Sequence, residues 1–305
     1  PSASRYGKGS HIRNLLGGIR DDEKVISILP MERSLIENPE GHFLMFATAN
    51  GRIKKSKLSE YARINRNGKF ALKFADGDSD NLVSVRPATD ADHVVLVSAS
   101  GNACRFMPAE EKTRISPETG ESVTTYVVRV QGRISLGVSG MKLSGNDKVI
   151  GMIVTDDFDT SVLTISKYGM AKRSRLGSGE MLPLTEAGTP IVDESGDQIF
   201  ERDGYRKTNR GTKGVRTMSL RDGDEIVSVR QIPDLDDQLF MLTGSGMMIR
   251  MVSGQTKETL GKVTKGTRIM ELRNRDRTGY EDEIVFVARL PSELISTGET
   301  LEEEE

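Results

Sequence analysis

The sequence predicts an all-β protein built as a propeller-type array of four-stranded blades, with about five blades present and the first incomplete. Two observations carry this prediction: a strand motif that recurs five times, and a glycine-containing hairpin motif that recurs four times, along the 305 residues. In addition, no segment shows a convincing helical period in its apolar residues, which counts against a helical fold. Short strands repeated at regular spacing are typical of radial β-arrays.

The strand motif is an acidic or polar residue followed by a short apolar strand. Its five copies are Glu23–Ile28, Asp80–Val85, Asp147–Met152, Asp224–Val229 and Asp282–Val287. The strands start at residues 25, 82, 149, 226 and 284, which indicates a unit of 57–58 residues lengthened by two insertions. The insertions, at about Met107–Thr125 and Gly177–Tyr205, are rich in Pro, Gly and Glu, so we expect exposed loops there.

The hairpin motif is a short apolar strand, a turn with glycine and a second strand that carries basic residues. The clearest copy runs from Leu44 to Lys55, and its Asn50-Gly51 pair is a strong hairpin signal because a type I′ turn needs positive φ at both central positions. Three further copies surround Gly101, Gly169 and Gly246. We expect cations near the outer ends of the second strands, namely Lys54 and Lys55, Arg105, Lys172 and Arg173, and Arg250.

A basic, glycine-containing segment follows each hairpin. These segments are Ile64–Phe70, Arg129–Met141, Asn209–Arg216 and Gly261–Arg268, and a fifth, Arg5–Gly9, opens the chain without a hairpin before it. The repeat domain, residues 1–290, is therefore divided into units 1–36, 37–89, 90–158, 159–234 and 235–290. The truncated first unit indicates a fragment of something longer, and residues 291–305 form an acidic tail.

The basic segments predict contact with a polyanion. Gly204–Arg221 holds six Lys or Arg residues and no acid among eighteen residues, and Gly211 and Gly214 would leave backbone N–H groups open beside Arg210 and Lys213. Amides and cations together bind phosphate oxygens. One such turn alone is more often a solvated loop, but five at equivalent positions would form a basic belt that matches a long, curved polyanion. Since no base-reading element recurs, we expect sequence-independent contacts to phosphates.

The charge distribution agrees with such a partner. The net charge is −2, but residues 291–305 carry six Glu and no Lys or Arg. Without them, residues 1–290 hold 43 basic and 39 acidic residues. We expect the tail to compete with phosphates for the same cations and to weaken binding at low salt.

Composition and spacing count against several other classes. Cys104 is the single cysteine and the three His residues are scattered, so neither a disulfide framework nor a zinc cluster is expected, and a reducing, cytoplasmic compartment is favoured. No apolar run is long enough to span a membrane. Gly254–Val263 departs from a phosphate loop in its spacing, and no nucleophile constellation is found, so we expect no catalysis by this chain alone.

Several of these segments resemble the C-terminal domain of the DNA gyrase A protein. Asn209–Gly214 is similar to the basic Gln-Arg-Arg-Gly-Gly-Lys-Gly box of that family, and Met45–Lys55, Gly68-Lys69 and Asp76-Gly77-Asp78 are similar to the domain's mid-section. The resemblance covers essentially all of residues 1–290 and includes the acidic tail. It implies a β-pinwheel, a propeller-like disc whose blades exchange strands, with duplex DNA bent around its rim to support negative supercoiling.

The resemblance also implies partners and site residues. The partners are duplex DNA, the N-terminal part of gyrase A and the gyrase B protein, with no membrane, and the location is the nucleoid in the cytoplasm. No cofactor or metal is implied for this chain, because ATP and Mg²⁺ belong to the rest of this type IIA topoisomerase. The expected DNA-binding residues are Arg5, Lys8, Lys54, Lys55, Arg66, Lys69, Arg105, Arg133, Lys172, Arg173, Arg206, Lys207, Arg210, Gly211, Lys213, Gly214, Arg216, Lys262, Lys265 and Arg268.

Three alternatives stay open on the sequence alone. The C-terminal domain of topoisomerase IV, from the protein paralogous to gyrase A, has degenerate boxes. A propeller-type scaffold for protein interaction would show no salt-sensitive DNA binding. A hydrolase on a propeller fold would need convergent carboxylates, which the motifs do not supply.

Overall fold

The structure is a computed structural model of the chain. It describes residues 11, 14, 19, 23–64, 68–75, 79–115, 120–186, 189–259, 264–274 and 279–299. Within these residues the helices are short: α1 is Arg33–Glu37, α2 is Ser292–Glu299, and Leu58–Tyr61 and Ser253–Gln255 are single 3₁₀ turns. None of the helices in these ranges has the length and apolar character that crossing a membrane requires.

Strands make up most of the regular structure, as the sequence predicts. In chain order they are β1 Phe43–Thr48, β2 Arg52–Lys57, β3 Leu82–Ala88, β4 His93–Ser98, β5 Asn102–Phe106, β6 Glu111–Ile115, β7 Ser122–Tyr126, β8 Val138–Ser139, β9 Val149–Thr155, β10 Ser161–Ser166, β11 Met170–Arg175, β12 Met181–Pro183, β13 Thr185–Glu186, β14 Thr189–Pro190, β15 Phe200–Arg202, β16 Val215–Arg216, β17 Ile226–Ile232, β18 Gln238–Thr243, β19 Met248–Val252, β20 Thr267–Arg268 and β21 Ile284–Leu290.

Each predicted hairpin forms the centre of a blade, which we number by its unit. Blade 2 has the strand order β3-β1-β2-β8, blade 3 has β9-β4-β5-β16, blade 4 has β17-β10-β11-β20, and blade 5 has β21-β18-β19. In each hairpin the N–H of the turn glycine donates to a carbonyl three residues earlier, as Gly51 does to Thr48 over 3.0 Å. The repeated strand motif supplies β3, β9, β17 and β21.

The fourth strand of a blade comes from the following unit. β8 lies in unit 3 but pairs with β2 of blade 2, where Arg52 faces Ser139. In the same way β16 of unit 4 pairs with β5, and β20 of unit 5 pairs with β11. Successive units are therefore joined by backbone hydrogen bonds as well as by side-chain packing, which is the strand exchange that a β-pinwheel implies.

The hydrophobic core lies between neighbouring blades rather than in one central mass. Leu96 packs with Phe43 and Met45 of blade 2, whereas Val95 and Val97 of the same strand pack with Val162 of blade 4. Successive side chains of a strand point to opposite faces, so a strand covered on both sides becomes apolar throughout. A further cluster joins blades 4 and 5 in the same way.

The first copy of the strand motif is not a strand. Residues 23–30 have no regular structure, and the side chains of Val25, Ile26 and Ile28 are exposed. The other four copies each pair with the hairpin before them in sequence, and the described residues contain no such partner for this copy. Leu29 and Leu35 instead cover the outer apolar face of blade 2.

The two insertions are β-hairpins rather than loops. The first, residues 107–126 (the first arm), pairs β6 with β7, and the second, residues 177–205 (the second arm), pairs β12 with β15 and β13 with β14. The expectation of loops from Pro, Gly and Glu content was wrong because the first arm is rich in β-branched and aromatic residues, as in Ser122–Tyr126, and these favour strands. Both arms are exposed, as predicted.

The acidic tail begins as a helix. Ser292 donates its backbone N–H to Asp237 Oδ1 over 3.0 Å at the start of α2, and Arg289 pairs with the same carboxylate over 2.6 Å. Residues 300–305, which include the four terminal Glu, lie outside the described residues.

Candidate nucleic-acid interface

Each exchanged strand is preceded by a turn that ends in glycine, which we call the exchange turn. The three turns are residues 132–137, 209–214 and, within the described residues, 264–266. Gly137, Gly214 and Gly266 have φ of 74°, 76° and 75°. A Cβ atom at these positions would lie 2.6, 2.1 and 2.3 Å from a carbonyl oxygen of the preceding blade, so only glycine lets the strand approach.

The exchange turns of units 4 and 5, and the exchanged strands that follow them, display exposed cations. Lys213 and Lys265 directly precede the glycine, and Arg216 and Arg268 follow it by two residues. All four are exposed, and Lys213, Arg216 and Lys265 make no ion pair or side-chain hydrogen bond within the described part of the chain. Arg268 pairs with the exposed Glu271 over 2.8 Å, a contact that a stronger anion can replace.

The exchange turn of unit 3 lacks these charges. Leu136 and Ser139 occupy the two positions, so the repeated arrangement is interrupted there. Lys142, five residues after Gly137, is exposed, and its backbone N–H donates to Thr212 of the neighbouring exchange turn over 2.9 Å. The sequence analysis did not single out Lys142, although its place in the recurring Met-x-Leu that follows each exchanged strand could have identified it.

Arg133 and Arg210 occupy equivalent positions, four residues before the glycine, and both contact protein. Arg210 donates from Nε to the Val127 carbonyl over 2.7 Å and from Nη1 to the Ser139 carbonyl over 2.5 Å. Arg133 donates from Nη1 to the Phe70 carbonyl over 3.3 Å. These guanidinium groups hold the exchange turns in place.

The backbone amide of Gly211, which the sequence predicts to be open to a ligand, is already hydrogen-bonded within the protein. It donates to the Gly140 carbonyl over 2.8 Å, so it joins two neighbouring exchanged segments. Gly214 serves the close approach to Ala103 described above. Of the two cations just before this turn, Lys207 pairs with Glu180 over 2.7 Å, whereas Arg206 is exposed and makes no contact of this kind with the described residues.

The lysines of the hairpin strands are buried rather than displayed at the outer ends. Lys54 is 0 % and Lys172 is 3 % exposed. Lys54 donates from Nζ to the carbonyls of Ala71 and Arg133 over 2.6 and 2.5 Å, and Lys172 donates to the Thr217 carbonyl over 2.7 Å. Desolvation lowers the pKa of each lysine to about 8.

The next residue of each hairpin strand is a second buried cation. Lys55 pairs with Asp90 and lies 3.9 Å from the ring centroid of Phe43. Arg105 donates from Nη1 to the carbonyls of Leu176 and Tyr205 over 2.8 and 2.9 Å, and burial lowers its pKa to about 10.

Arg173 follows the same pattern in blade 4. Its Nε donates to the Thr256 carbonyl over 2.9 Å, and its Nη1 pairs with Glu258 over 2.9 Å. Like Lys55 and Arg105, it contacts chain segments beyond its own hairpin and stabilises the joints between units.

The remaining expected residues divide into two groups. Lys69 is half-buried, and its Nζ donates to the Glu60 carbonyl over 3.3 Å. Arg5, Lys8, Arg66 and Lys262 lie outside the described residues. One exposed cation that the sequence analysis missed is Lys112 of the first arm, which donates to the side chain of Asn209 over 2.5 Å.

These features define a class of protein: a blade-exchanging β-propeller with exposed cations on the exchanged segments. No cluster of three or more His, Cys, Asp or Glu side chains suited to a metal ion occurs in the ranges that the structure describes. A family model described as DNA gyrase C-terminal domain, beta-propeller, matches residues 1–30, 42–89, 122–156, 199–233 and 237–278. The chain belongs to this family.

Individual relatives agree with the family match. The chain is 29 % identical over 297 residues to the DNA gyrase A protein of Rickettsia prowazekii, covering 89 % of this chain and 30 % of the relative. It is 28 % identical over 304 residues to the DNA gyrase A protein of Metamycoplasma arthritidis, covering 100 % of this chain and 28 % of the relative. The chain thus spans less than a third of the length of these proteins.

Solved structures show the same fold. The C-terminal domain of DNA topoisomerase IV superposes with a TM-score of 0.68 at 18 % identity, over 97 % of this chain and 76 % of that one. The DNA gyrase A C-terminal domain superposes with a TM-score of 0.60 at 18 % identity, over 93 % of this chain and 76 % of that one.

Proposed function

We propose that this chain binds duplex DNA through the exposed cations of its exchange turns and bends the duplex along successive blades, as the DNA-wrapping part of a DNA gyrase A protein. The observation that carries the proposal is the repetition of exposed cations at equivalent places. Lys213 and Arg216 of unit 4 correspond to Lys265 and Arg268 of unit 5. Charges repeated at the spacing of the blades fit a long, regular polyanion better than a small ligand.

The buried cations are left out of this proposal. Lys54, Lys55, Arg105, Lys172 and Arg173 are 7 % exposed or less and already contact protein groups. Moving one of them to a phosphate would leave buried carbonyl oxygens without a donor, which costs free energy. Because the exposed cations are expected to touch phosphates and not base edges, binding should be independent of DNA sequence.

A salt titration with matched variants tests the proposal. The test variant combines Lys213→Ala, Arg216→Ala and Lys265→Ala. The control combines Lys57→Ala, Lys148→Ala and Lys257→Ala, which are also exposed but lie outside the exchange turns. Removing one phosphate contact lowers the slope of log affinity against log salt by about 0.9, so the slope of the test variant should be smaller by about 2 to 3.

Bending is measured on the same proteins by energy transfer between dyes at the two ends of a linear duplex. The wild-type chain and the control variant should bring the ends closer, and the test variant should do so less. Equal slopes and equal transfer for the test and control variants would contradict the proposed interface. Salt-insensitive binding by the wild-type chain would favour a protein-interaction scaffold instead.

The wider role belongs to the same proposal. The chain would act with the rest of gyrase A and with the gyrase B protein at the nucleoid, in the cytoplasm, and their ATP-driven strand passage would convert wrapped DNA into negative supercoils. The chain alone is expected to leave the linking number of plasmid DNA unchanged. Relaxation or cleavage of plasmid by the purified chain would contradict the assignment of catalysis to other parts of the enzyme.

A further inference from the structure

A cleft of about 200 Å³ opens where blade 4, the exchanged segment of unit 4 and the base of the second arm meet. Its walls come from four stretches of chain that are separate in sequence. Lys172, Ser174 and Arg175 come from β11. Glu201, Arg202, Gly204 and Tyr205 come from the end of the second arm, and Arg206 directly follows it. Val215–Thr217 and Thr259 complete the lining.

The residues that line the cleft include more cations than acids. The cations are Lys172, Arg175, Arg202, Arg206 and Arg216, and the acid is Glu201. Arg175 is neutralised from outside the cleft by Asp159 at 3.1 Å and Asp203 at 3.5 Å. The other four cations still outnumber Glu201, and like charges gathered in a concave surface attract an anion.

The cleft has a rigid floor and free groups at its mouth. Lys172, Tyr205 and Thr217 are at most 7 % exposed, and Lys172 donates to the Thr217 carbonyl. Arg206 and Arg216 are exposed and make no ion pair or side-chain hydrogen bond with described residues. These two unengaged guanidinium groups supply several N–H donors that suit a tetrahedral oxyanion, and Lys172 adds positive charge to the same cleft while it keeps its hydrogen bond to the Thr217 carbonyl.

We propose that this cleft is a binding site for a phosphate group. The group can belong to the DNA backbone or to a free phosphate compound, since both present the same oxygens. A carboxylate is a poorer fit, because its two oxygens lie in one plane, whereas the oxygens of a phosphate group are arranged tetrahedrally and can accept from both guanidinium groups. Arg216 also belongs to the proposed DNA interface, so the DNA-backbone alternative rests on the proposed function, whereas binding of a free phosphate compound does not.

Calorimetric titration of the whole chain with inorganic phosphate tests the site, with chloride holding the ionic strength constant. We expect saturable binding at one site. Arg206→Gln should weaken it about tenfold or more, and Arg206→Lys should restore part of the affinity. Lys148→Gln, which removes an exposed cation elsewhere, should leave it unchanged. Circular dichroism confirms folding, and Arg216→Gln provides a second test of the same cleft.

A second titration identifies the source of the phosphate group. If inorganic phosphate displaces duplex DNA more than chloride does at equal ionic strength, the DNA backbone occupies the cleft. If phosphate binds without displacing DNA, the ligand is a free phosphate compound. The proposal fails if no saturable binding is seen, if Arg206→Gln leaves binding unchanged, or if acetate binds as tightly as phosphate. Failure of this site leaves the salt-slope test of DNA binding unaffected.

Discussion

Arg105 donates a hydrogen bond from Nε to Nδ1 of His93 over 3.2 Å, and both side chains are buried in blade 3. An acceptor nitrogen carries no proton, so this geometry requires a neutral imidazole. Burial, and next the charge of Arg105, lower the pKa of His93 to about 4. The pair joins the two strands of the hairpin while Arg105 reaches carbonyls of the following unit.

This pair predicts a loss of stability in mild acid. Between pH 6.5 and about 4 the unfolded chain binds a proton at His93 that the folded chain does not. The free energy of unfolding should therefore fall as the pH drops through that window, by on the order of 2 kcal/mol from this residue. Urea denaturation followed by circular dichroism at a series of pH values measures the change.

His93→Gln tests the assignment, because a glutamine carbonyl can accept from Arg105 but does not titrate. The variant should lose most of the pH dependence in that window. His42→Gln, which changes a histidine just before β1, should keep it. If His93→Gln kept the pH dependence, the acid sensitivity would come from a group other than His93.

The buried lysines predict a pH dependence of the same sign in mild base, where stability again rises with pH. The pKa of Lys54 and of Lys172 is about 8 in the folded chain, against an ordinary value of 10.5, so between these values the unfolded chain holds more protons. The free energy of unfolding should rise from pH 8 toward pH 10, by about 1 kcal/mol per lysine. Lys54→Met should flatten this rise, and the exposed neighbour Lys57→Met should not. A rise unaffected by Lys54→Met would show that the lysine is accessible to water.

Gly→Ala substitutions at two glycines with similar φ, only one of which precedes an exchanged strand, should differ strongly in how far they lower the free energy of unfolding. Gly214 has φ of 76° and a Cβ there would lie 2.1 Å from the Ala103 carbonyl oxygen, whereas Gly246 has φ of 89° and open space. Gly246→Ala should cost about 1 kcal/mol from backbone strain alone. Gly214→Ala adds overpacking and should cost about 3 kcal/mol. Equal destabilisation in urea denaturation would mean that the exchanged strand can move away.

We expect the acidic side chains of the second arm to weaken the binding of DNA. No Lys or Arg precedes Arg202 in this arm, whereas six acids do: Glu180, Glu186, Asp193, Glu194, Asp197 and Glu201. Glu180 also forms an ion pair with Lys207. Replacing the six acids by their amides should tighten binding to duplex DNA at low salt and have little effect at high salt, since screening removes the repulsion. Fluorescence anisotropy at two salt concentrations checks this. Weaker binding by the amide variant would mean that the arm helps to hold DNA.

The four hairpins, and the strand that follows each hairpin and pairs with its first strand, could be predicted from local sequence pattern. Apolar runs such as Phe43–Thr48 and His93–Ser98 are buried at every position, and the recurring turn glycines mark where each chain reverses. Local pattern suffices there because a hairpin pairs residues close in sequence. The same reasoning failed at Val25–Ile28, where the motif is present but the described residues contain no hairpin for it to pair with.

The availability of the cations, in contrast, follows from tertiary packing and could not be predicted from pattern. Lys54 and Lys213 both stand in basic strand or turn motifs, yet Lys54 is buried against the carbonyl of Arg133, 79 residues away in sequence, and Lys213 faces solvent. A strand pattern states that successive side chains alternate between faces, but it does not state which segment covers each face. For Lys54 and Arg105 the covering segment comes partly or wholly from the next unit, at Arg133 and at Leu176 and Tyr205, so the burial of these cations depends on how successive units pack.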